Sequence, residues 1–542
     1  MKNILFLVLT SFIFFNCTAQ EKSSKPKLVV GIVVDQMRYD YLTRFENHYG
    51  DGGFMRIINE GFNAKNNHYN YVPTATGPGH ASIFTGTTPK YHGIIGNSWY
   101  DKENKTSAYC AGDDSYESVG TKSSAGEMSP HRMLTTTFTD ENRLHTQFKG
   151  KTIGISIKDR GAVLPAGHTA NAAYWYEGGK DGNWITSSFY RKELPKWAKE
   201  FNKSDIVKSY LKEWNTLYDI ESYIESGDDE NKFEGGFDGK KKATFPYDLK
   251  KLSKENGDYS ILKSTPYGNS LVVDFAMEAI KGVDLGKDNF TDVLTVSFSS
   301  PDYVGHNFGV NSKEVQDTYI RLDKDLERFL NFLDTQVGKG EFTIFLTADH
   351  GAIDVPAYLK SKNIPAGYFD GKKFRTKLSE FSKSKFGKDL VEKIGYGDIF
   401  LNKDKLASLK LSETDVKQSF VDEIISYKHI YKVYTSNEIK NSNQHVGIEM
   451  LLHNGHNQKR SGDVIFVLEP SVISYGKTGS SHGTGYNFDT HIPLLFYGAG
   501  IVPGQTFERT NIIDIAPTMS ALLGIAFPNG NTGNVVSAAL KK

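Results

Sequence analysis

Several apolar runs in this chain end in carboxylates, imidazoles or cations. KLVVGIVVD closes on Asp35, TIGISIKDR on Lys158 and Arg160, DVLTVSFSSPD on Asp302, and FTIFLTADHG on Asp349 and His350. Continuous Val/Ile/Leu/Phe runs of this length read as parallel strands buried on both faces. Ligands of an open α/β sheet bind outside the carboxyl ends of its strands, so these side chains are expected at one edge. Three aspartates gathered there would raise one another's pKa unless cations neutralise them. A metal centre follows more naturally than an acid–base dyad.

The local spacings agree. PDYVGH sets Asp302 and His306 four apart, within reach of one ion if the segment is helical. ADHG offers Asp349 and His350 side by side, and SSHGTGY presents His482 in a glycine-rich loop. Mixed Asp/His ligation suits Zn²⁺, although Mn²⁺ and Fe²⁺ accept the same donors. Taken singly, an aspartate after a strand is often only a turn former or a helix cap. The weight lies in several Asp/His pairs converging on one expected edge. His491 precedes the apolar run HIPLLFYG, which places it at the wrong end of a parallel strand for ligation; His68, His80, His92 and His168 are not separable by pattern.

The stretch YVPTATGPGHASIFTG, residues 71–86, supplies hydroxyls beside a helix start. Pro78 suits the first helical position, which makes Gly77 the expected N-cap and leaves Thr76 just outside. The free N–H groups of that first turn form an anion site. Ser82 and Thr85 lie inside or beyond the helix, so Thr74 and Thr76 remain as nucleophiles. Thr76 is nearer the helix start and is favoured; a metal ion would lower its hydroxyl pKa.

Alternating strands and helices position these groups and imply an α/β fold with a mostly parallel central sheet flanked by helices. The segment from Asn311 carries Val315, Tyr319, Leu322, Leu326, Leu330 and Leu333 at spacings of three and four, an amphipathic helix with an expected cap at Asn311 and Glu314. Asp514 is expected to open a short helix that Gly524 stops. Two stretches break the rhythm, residues 175–265 and 360–445, and are expected to form a cap over the catalytic domain.

The 542 residues carry 64 Lys+Arg and 64 Asp+Glu, so the net charge is zero and nucleic acid is not an expected partner. Lys2 followed by the apolar residues 4–15, a run too short to span a bilayer, reads as an export signal ending near residue 20. Cys17 sits where a lipoprotein cysteine would, but Phe-Phe-Asn before it is a poor lipobox. The only other cysteine, Cys110, is expected to be a small buried hydrophobe.

Six motifs, in order, resemble the alkaline phosphatase superfamily, and within it the periplasmic threonine-nucleophile enzymes of PafA type. They are VVDQMRYDYL, TATGPGHASIFTGTTPKYHGIIGNSWYD, SIKDRGAVLPAGH, SSPDYVGHNFG, TADHGA and SSHGTGYNFDTHIPLLFYGAG. The resemblance runs from about residue 27 to the C-terminal helix, with the two insertions least constrained. It implies two zinc ions. Asp35, Asp349 and His350 match the ligands of one, which also holds the nucleophile Thr76, and Asp302, His306 and His482 match those of the other. Asn97 matches a donor to a non-bridging phosphoryl oxygen. Lys158 and Arg160 match the pair that marks the monoesterase branch; bare strand-end cations are otherwise commonly just solvated.

The activity implied is hydrolysis of small phosphate monoesters through a phosphothreonine, by an exported monomer in the periplasm. A nucleotide pyrophosphatase-like diesterase shares the threonine and both metal sites, but a diester carries a bulky group where Lys158 and Arg160 would reach. A sulfatase needs a Cys-x-Pro-x-Arg motif, and TATGPGH has no cysteine. A phosphonate hydrolase and a binding module on an inactive phosphatase fold are the remaining alternatives; the complete set of metal and nucleophile positions argues against the second.

Overall fold

The computed structural model describes residues 25–541, so the expected export signal and Cys17 lie outside the described residues. The main sheet is ten-stranded: β1 (Leu28–Val34), β2 (Phe62–His68), β3 (Ser118–Val119), β4 (Thr152–Ser156), β5 (Ala172–Gly178), β6 (Asn183–Ser187), β7 (Asp292–Phe298), β8 (Phe342–Thr347), β9 (Leu494–Gly498) and β10 (Gly504–Asn511). Their order is β10-β2-β9-β8-β1-β7-β4-β5-β6-β3. The five strands from β8 to β5 pair in parallel, as the buried apolar runs imply, and β6 and β9 run against their neighbours. Every residue of β1, β7, β8 and β4 is buried.

Register decides where the chemistry sits. Val34 of β1 is level with Phe298 of β7, and Val33 is level with Thr347 of β8. The chain therefore leaves all three strands at the same height, and Asp35, Asp302 and Asp349 emerge along one edge.

Helices cover the sheet. The expected stripe appears on the helix Lys313–Leu333, whose Val315, Tyr319, Leu322, Leu326, Leu330 and Leu333 are all buried. Its cap is Ser312, not Asn311: the Ser312 hydroxyl accepts from the Val315 N–H, while Asn311 donates to Asp354 at 2.7 Å. Glu314 accepts from Tyr247 Oη at 2.5 Å instead of closing a capping box. The helix Ile515–Leu523 starts after Asp514 and ends at Gly524 in the left-handed region.

The two interruptions differ from each other. Residues 175–187 belong to the main sheet as β5 and β6, with Trp175, Tyr176 and Trp184 buried. An aromatic-rich strand lacks the Val/Ile signature, so the sequence there reads as the start of an insertion. The second interruption builds its own four-stranded antiparallel sheet, in the order Val391–Ile394, Asp398–Leu401, Val464–Leu468 and Ile430–Thr435. It runs past the expected boundary at 445 and has a separate core around Phe374, Leu378, Phe420 and Phe466.

Candidate active site

The stretch YVPTATGPGHASIFTG carries α1 (Thr76–Thr85), with Ala75 as the N-cap in extended conformation. The helix thus begins one residue before the expected cap, Gly77. The side chain of Asn97 explains the shift: its Oδ1 accepts from the Gly77 N–H at 2.7 Å, satisfying a first-turn donor from outside the helix. Pro78, now third in the helix, still falls where no intrahelical N–H is needed. Gly79 is required by contact, because a Cβ there would stand 2.4 Å from the Asp349 carbonyl oxygen. The helix start can approach the metal-ligand edge only through a glycine.

Asp302 and His306 lie on α2 (Ser300–Phe308), which follows β7. Helical spacing brings His306 Nε2 to 3.1 Å from Asp302 Oδ1. His306 Nδ1–H donates to the Ser480 carbonyl at 2.7 Å, and His482 Nδ1–H donates to the Thr74 carbonyl at 2.8 Å. His350 Nδ1–H donates to the Gly351 carbonyl at 2.9 Å. Each imidazole is thereby held with Nε2 turned inward, the orientation a metal-binding histidine takes.

Ligand atoms of Asp302, His306 and His482 lie within 4.8 Å of one another, and so do those of Asp35, Asp302 and His350. Asp349 Oδ2 is 3.5 Å from His350 Nε2, as is Asp35 Oδ1. All six residues are therefore brought together, with Asp302 common to both groups. Lys158 Nζ lies between them, 2.6 Å from Asp35 Oδ2 and 2.6 Å from Asp302 Oδ2, and 3.5 Å from Thr76 Oγ1. Arg160 donates through Nη1 to Tyr109 Oη at 3.1 Å.

Electrostatics follow from burial. Loss of water, and the neighbouring Asp349 charge, raise Asp35 well above the ordinary carboxylate range. Burial pushes Asp349 up to about 6 and His350 down to about 3. Asp302 goes the other way: burial opposes it, but His306 and Lys158 hold it well below the usual range. Burial likewise opposes the Lys158 cation, and Asp302 and Asp35 together raise it above an ordinary lysine.

The donors fit a metal. Asp35 Oδ1, Asp349 Oδ2 and His350 Nε2 are buried with no hydrogen-bond partner. Such orphaned atoms are costly unless something coordinates them. Carboxylate oxygens with neutral imidazole nitrogens are a zinc-type donor set.

A model of the family described as type I phosphodiesterase / nucleotide pyrophosphatase matches residues 29–491. The chain belongs to that family. It is 45% identical to a Myroides odoratus protein named calcium-transporting ATPase, over 100% of both chains. It is 43% identical to alkaline phosphatase PafA of Elizabethkingia meningoseptica, over 95% of each. The crystal structure of wild-type PafA superposes with a TM-score of 0.92, covering 95% of this chain and 99% of that one, so the mostly parallel α/β fold is shared. No helix among the described residues is long and apolar enough to cross a membrane.

For this family member, the remaining histidines have other partners. His491 lies on the same edge as the ligands, because β9 is antiparallel, contrary to the expected parallel direction. It nevertheless stacks on His68 at 4.6 Å and on Tyr39 at 4.5 Å, and bonds to the Lys65 carbonyl. His92 bonds to Ser82, and His168 to Asp140 and the Met133 carbonyl. His80 spans the Thr76 carbonyl and Ser297 Oγ, fixing the first turn of α1 to β7. Cys110 is buried and its thiol is pushed up to about 12 by that burial, as expected of a packing residue.

Gln36 falls within VVDQMRYDYL, but no role is expected of it from the sequence. It adopts a left-handed backbone, φ 65°, immediately after Asp35. Its N–H donates to Asp349 and its amide to Asp302. Its place in that motif, next to a strand-end aspartate, is the signal that could have found it.

Proposed function

We propose that this chain is an exported phosphate monoester hydrolase of the alkaline phosphatase kind, with Thr76 as nucleophile. The observation that supports it best is the position of Lys158 Nζ, in contact with a carboxylate of each ligand group and 3.5 Å from Thr76 Oγ1. The names of the relatives point the same way, since PafA of Elizabethkingia meningoseptica is an alkaline phosphatase. On this reading Asp35, Asp349 and His350 hold one zinc and Asp302, His306 and His482 the other. Bound there, the pair would supply Lewis-acid charge for the nucleophile and the leaving oxygen.

The chain's own residues do the rest. Thr76 Oγ1 loses its proton and attacks phosphorus as the ester P–O bond breaks. The departing oxygen takes up a proton and leaves as the alcohol, and water then cleaves the phosphothreonine to inorganic phosphate and free Thr76. The Asn97 amide and the N–H groups at the start of α1 donate to non-bridging oxygens. Lys158 and Arg160 supply the positive charge that a monoester dianion needs and a diester monoanion needs less. The inserted sheet between residues 360 and 473 acts as a cap over this edge, and the export signal places a monomeric enzyme in the periplasm.

The family's description names diesters, so diester hydrolysis is the second reading. Purified full-length protein should contain zinc, yield Thr76-phosphorylated peptide on acid quench, and favour an aryl phosphate over its methyl diester in kcat/KM. A diester rate equal to or above the monoester rate would sink the monoesterase reading.

A further inference from the structure

A cavity of about 790 Å³ opens beside the ligand loop and runs out to the inserted sheet. That size lies within the range of small-molecule pockets. Its inner end is Ser481, His482 and Thr484, and one wall is Val72 and Pro73, directly before Thr74. The aliphatic floor is packed tightly against the loop: a Cβ on Gly485 would stand 2.7 Å from Leu451, 2.9 Å from Ile448 and 3.1 Å from Val72. The cavity therefore reaches the ligand group containing His482, which on the monoesterase reading is the group opposite the one that holds the nucleophile.

The opposite wall is aromatic and comes from the inserted sheet. Tyr396 stands at the tip of the hairpin joining Val391–Ile394 to Asp398–Leu401. Backbone bonds Gly395 N–H to Asp398, Gly397 N–H to Gly395 and Phe466 N–H to Gly397 fix that tip. The Tyr396 ring edge reaches Gly96, one residue from Asn97, where an added Cβ would be 3.4 Å away. Yet the side chain is 55% exposed. Trp99, also in the wall, already has one face covered by the Arg460 guanidinium at 5.1 Å. Three charged wall residues are engaged as well: Arg375 donates to Asp389 at 2.9 Å, Asp398 accepts from the Gly462 N–H at 2.8 Å, and Glu392 accepts from the Asn402 amide. The exposed Lys393 is the charged wall residue left to solvent. What the cavity offers a ligand is mostly apolar surface, the exposed ring of Tyr396 and, at the outer wall, the Lys393 ammonium.

We propose that this cavity is a leaving-group subsite selecting phosphate monoesters whose alcohol carries an uncharged aromatic ring, with Tyr396 as the face on which the ring stacks. The inference rests on the monoesterase reading of the site. Arylalkyl phosphates and nucleoside monophosphates share the chemistry, and differ in how far the ring sits from phosphorus.

The test pairs esters of similar leaving-group basicity: 2-phenylethyl against ethyl phosphate, and adenosine 5′-monophosphate against ribose 5-phosphate. In wild type, kcat/KM should favour the ring-bearing member of at least one pair by about tenfold. The responding pair tells which source fits. Tyr396→Ala should collapse that ratio to within about threefold, and Tyr396→Phe should keep it. Equal rates within both pairs, or a ratio untouched by Tyr396→Ala, would overturn the proposal. Binding of 2-phenylethylphosphonate against ethylphosphonate, in competition with inorganic phosphate, reads the subsite without turnover. Tighter binding of the phenyl compound without hydrolysis of any ester would support the subsite and sink the monoesterase reading; equal binding would overturn the subsite itself.

Discussion

The side-chain amide of Gln36 donates to Asp302 Oδ1 at 2.5 Å, across the gap between β1 and the helix after β7. Its backbone N–H donates to Asp349 Oδ1 at 3.1 Å. One residue thus ties a carboxylate beyond β7 to one beyond β8, and it does so from a left-handed backbone that only a few side chains tolerate. Removing the amide in Gln36→Ala should lower kcat/KM and zinc affinity by about 10- to 100-fold, the usual cost of losing a group that orients metal ligands. Gly305→Ala should act through the same contact, since its Cβ would stand 2.0 Å from Gln36 Oε1. Chelator competition reads the zinc affinity; a value unchanged in both variants would reduce Gln36 to a packing role.

The two threonines at the start of α1, Thr74 just before it and Thr76 its first residue, make different contacts. Thr76 Oγ1 faces Lys158, whereas Thr74 Oγ1 donates to the Thr484 carbonyl at 2.9 Å and the Thr74 carbonyl receives His482. Thr74 is thus tied to the His482 loop through both its hydroxyl and its backbone. Thr76→Ala should abolish turnover and the phosphothreonine, while Thr74→Ala keeps the carbonyl and should lose about tenfold or less, roughly one hydrogen bond's worth. The reverse ranking would move the nucleophile.

The strand-end aspartates are legible in the sequence because buried parallel strands leave an unmistakable apolar run, and the residues just past such a run fall at the ligand-binding edge. Lys158, Asp302 and Asp349 need no more than that. Other features depend on contacts between distant segments. The start of α1 shifts because Asn97, some twenty residues on, satisfies Gly77. His491 lies on the edge opposite to the expected one because strand direction is a property of pairing, and HIPLLFYG reads alike in either sense. Gln36 looks like a surface polar residue until the backbone turn at φ 65° aims its two donors inward. The inserted sheet is indistinct in the sequence because its strands are short, VEKI and DIFL being four residues each, and lie among Lys- and Ser-rich helices such as Gly371–Phe386.

Asp489 links stability to pH. Its Oδ2 accepts from the Thr484 N–H and hydroxyl at 2.7 and 2.6 Å, so it anchors the loop carrying His482, while its Oδ1 has no partner. Burial pushes this carboxyl up to about 7 from an ordinary 3.8. Between those values the folded state holds a proton that the unfolded chain has released, so stability is fully present below about pH 4 and is lost as pH rises through about 7. Asp489→Asn keeps an acceptor for Thr484 and cannot ionise. Melting temperatures from about pH 5 to about 8 should fall less steeply in the variant than in wild type, and parallel curves would show that Asp489 does not titrate in this window.

On the monoesterase reading, Lys158 and Arg160 would carry the choice between monoester and diester. Lys158 is almost wholly buried between Asp35 and Asp302, and Arg160, oriented by Tyr109, stands at the start of the next helix with its Nε unpartnered. A monoester dianion gains more from these cations than a diester monoanion, because charge on the non-bridging oxygens is what they neutralise. The Lys158→Ala/Arg160→Ala variant should therefore lose about a hundredfold or more in kcat/KM for an aryl monoester, and about tenfold or less for its methyl diester. Zinc content measured on the same preparation separates the two ways Lys158 could act. Full zinc with a collapsed monoester preference places its charge on the phosphoryl group. Lost zinc with both rates falling together would instead make Lys158 a support for the carboxylates it bridges.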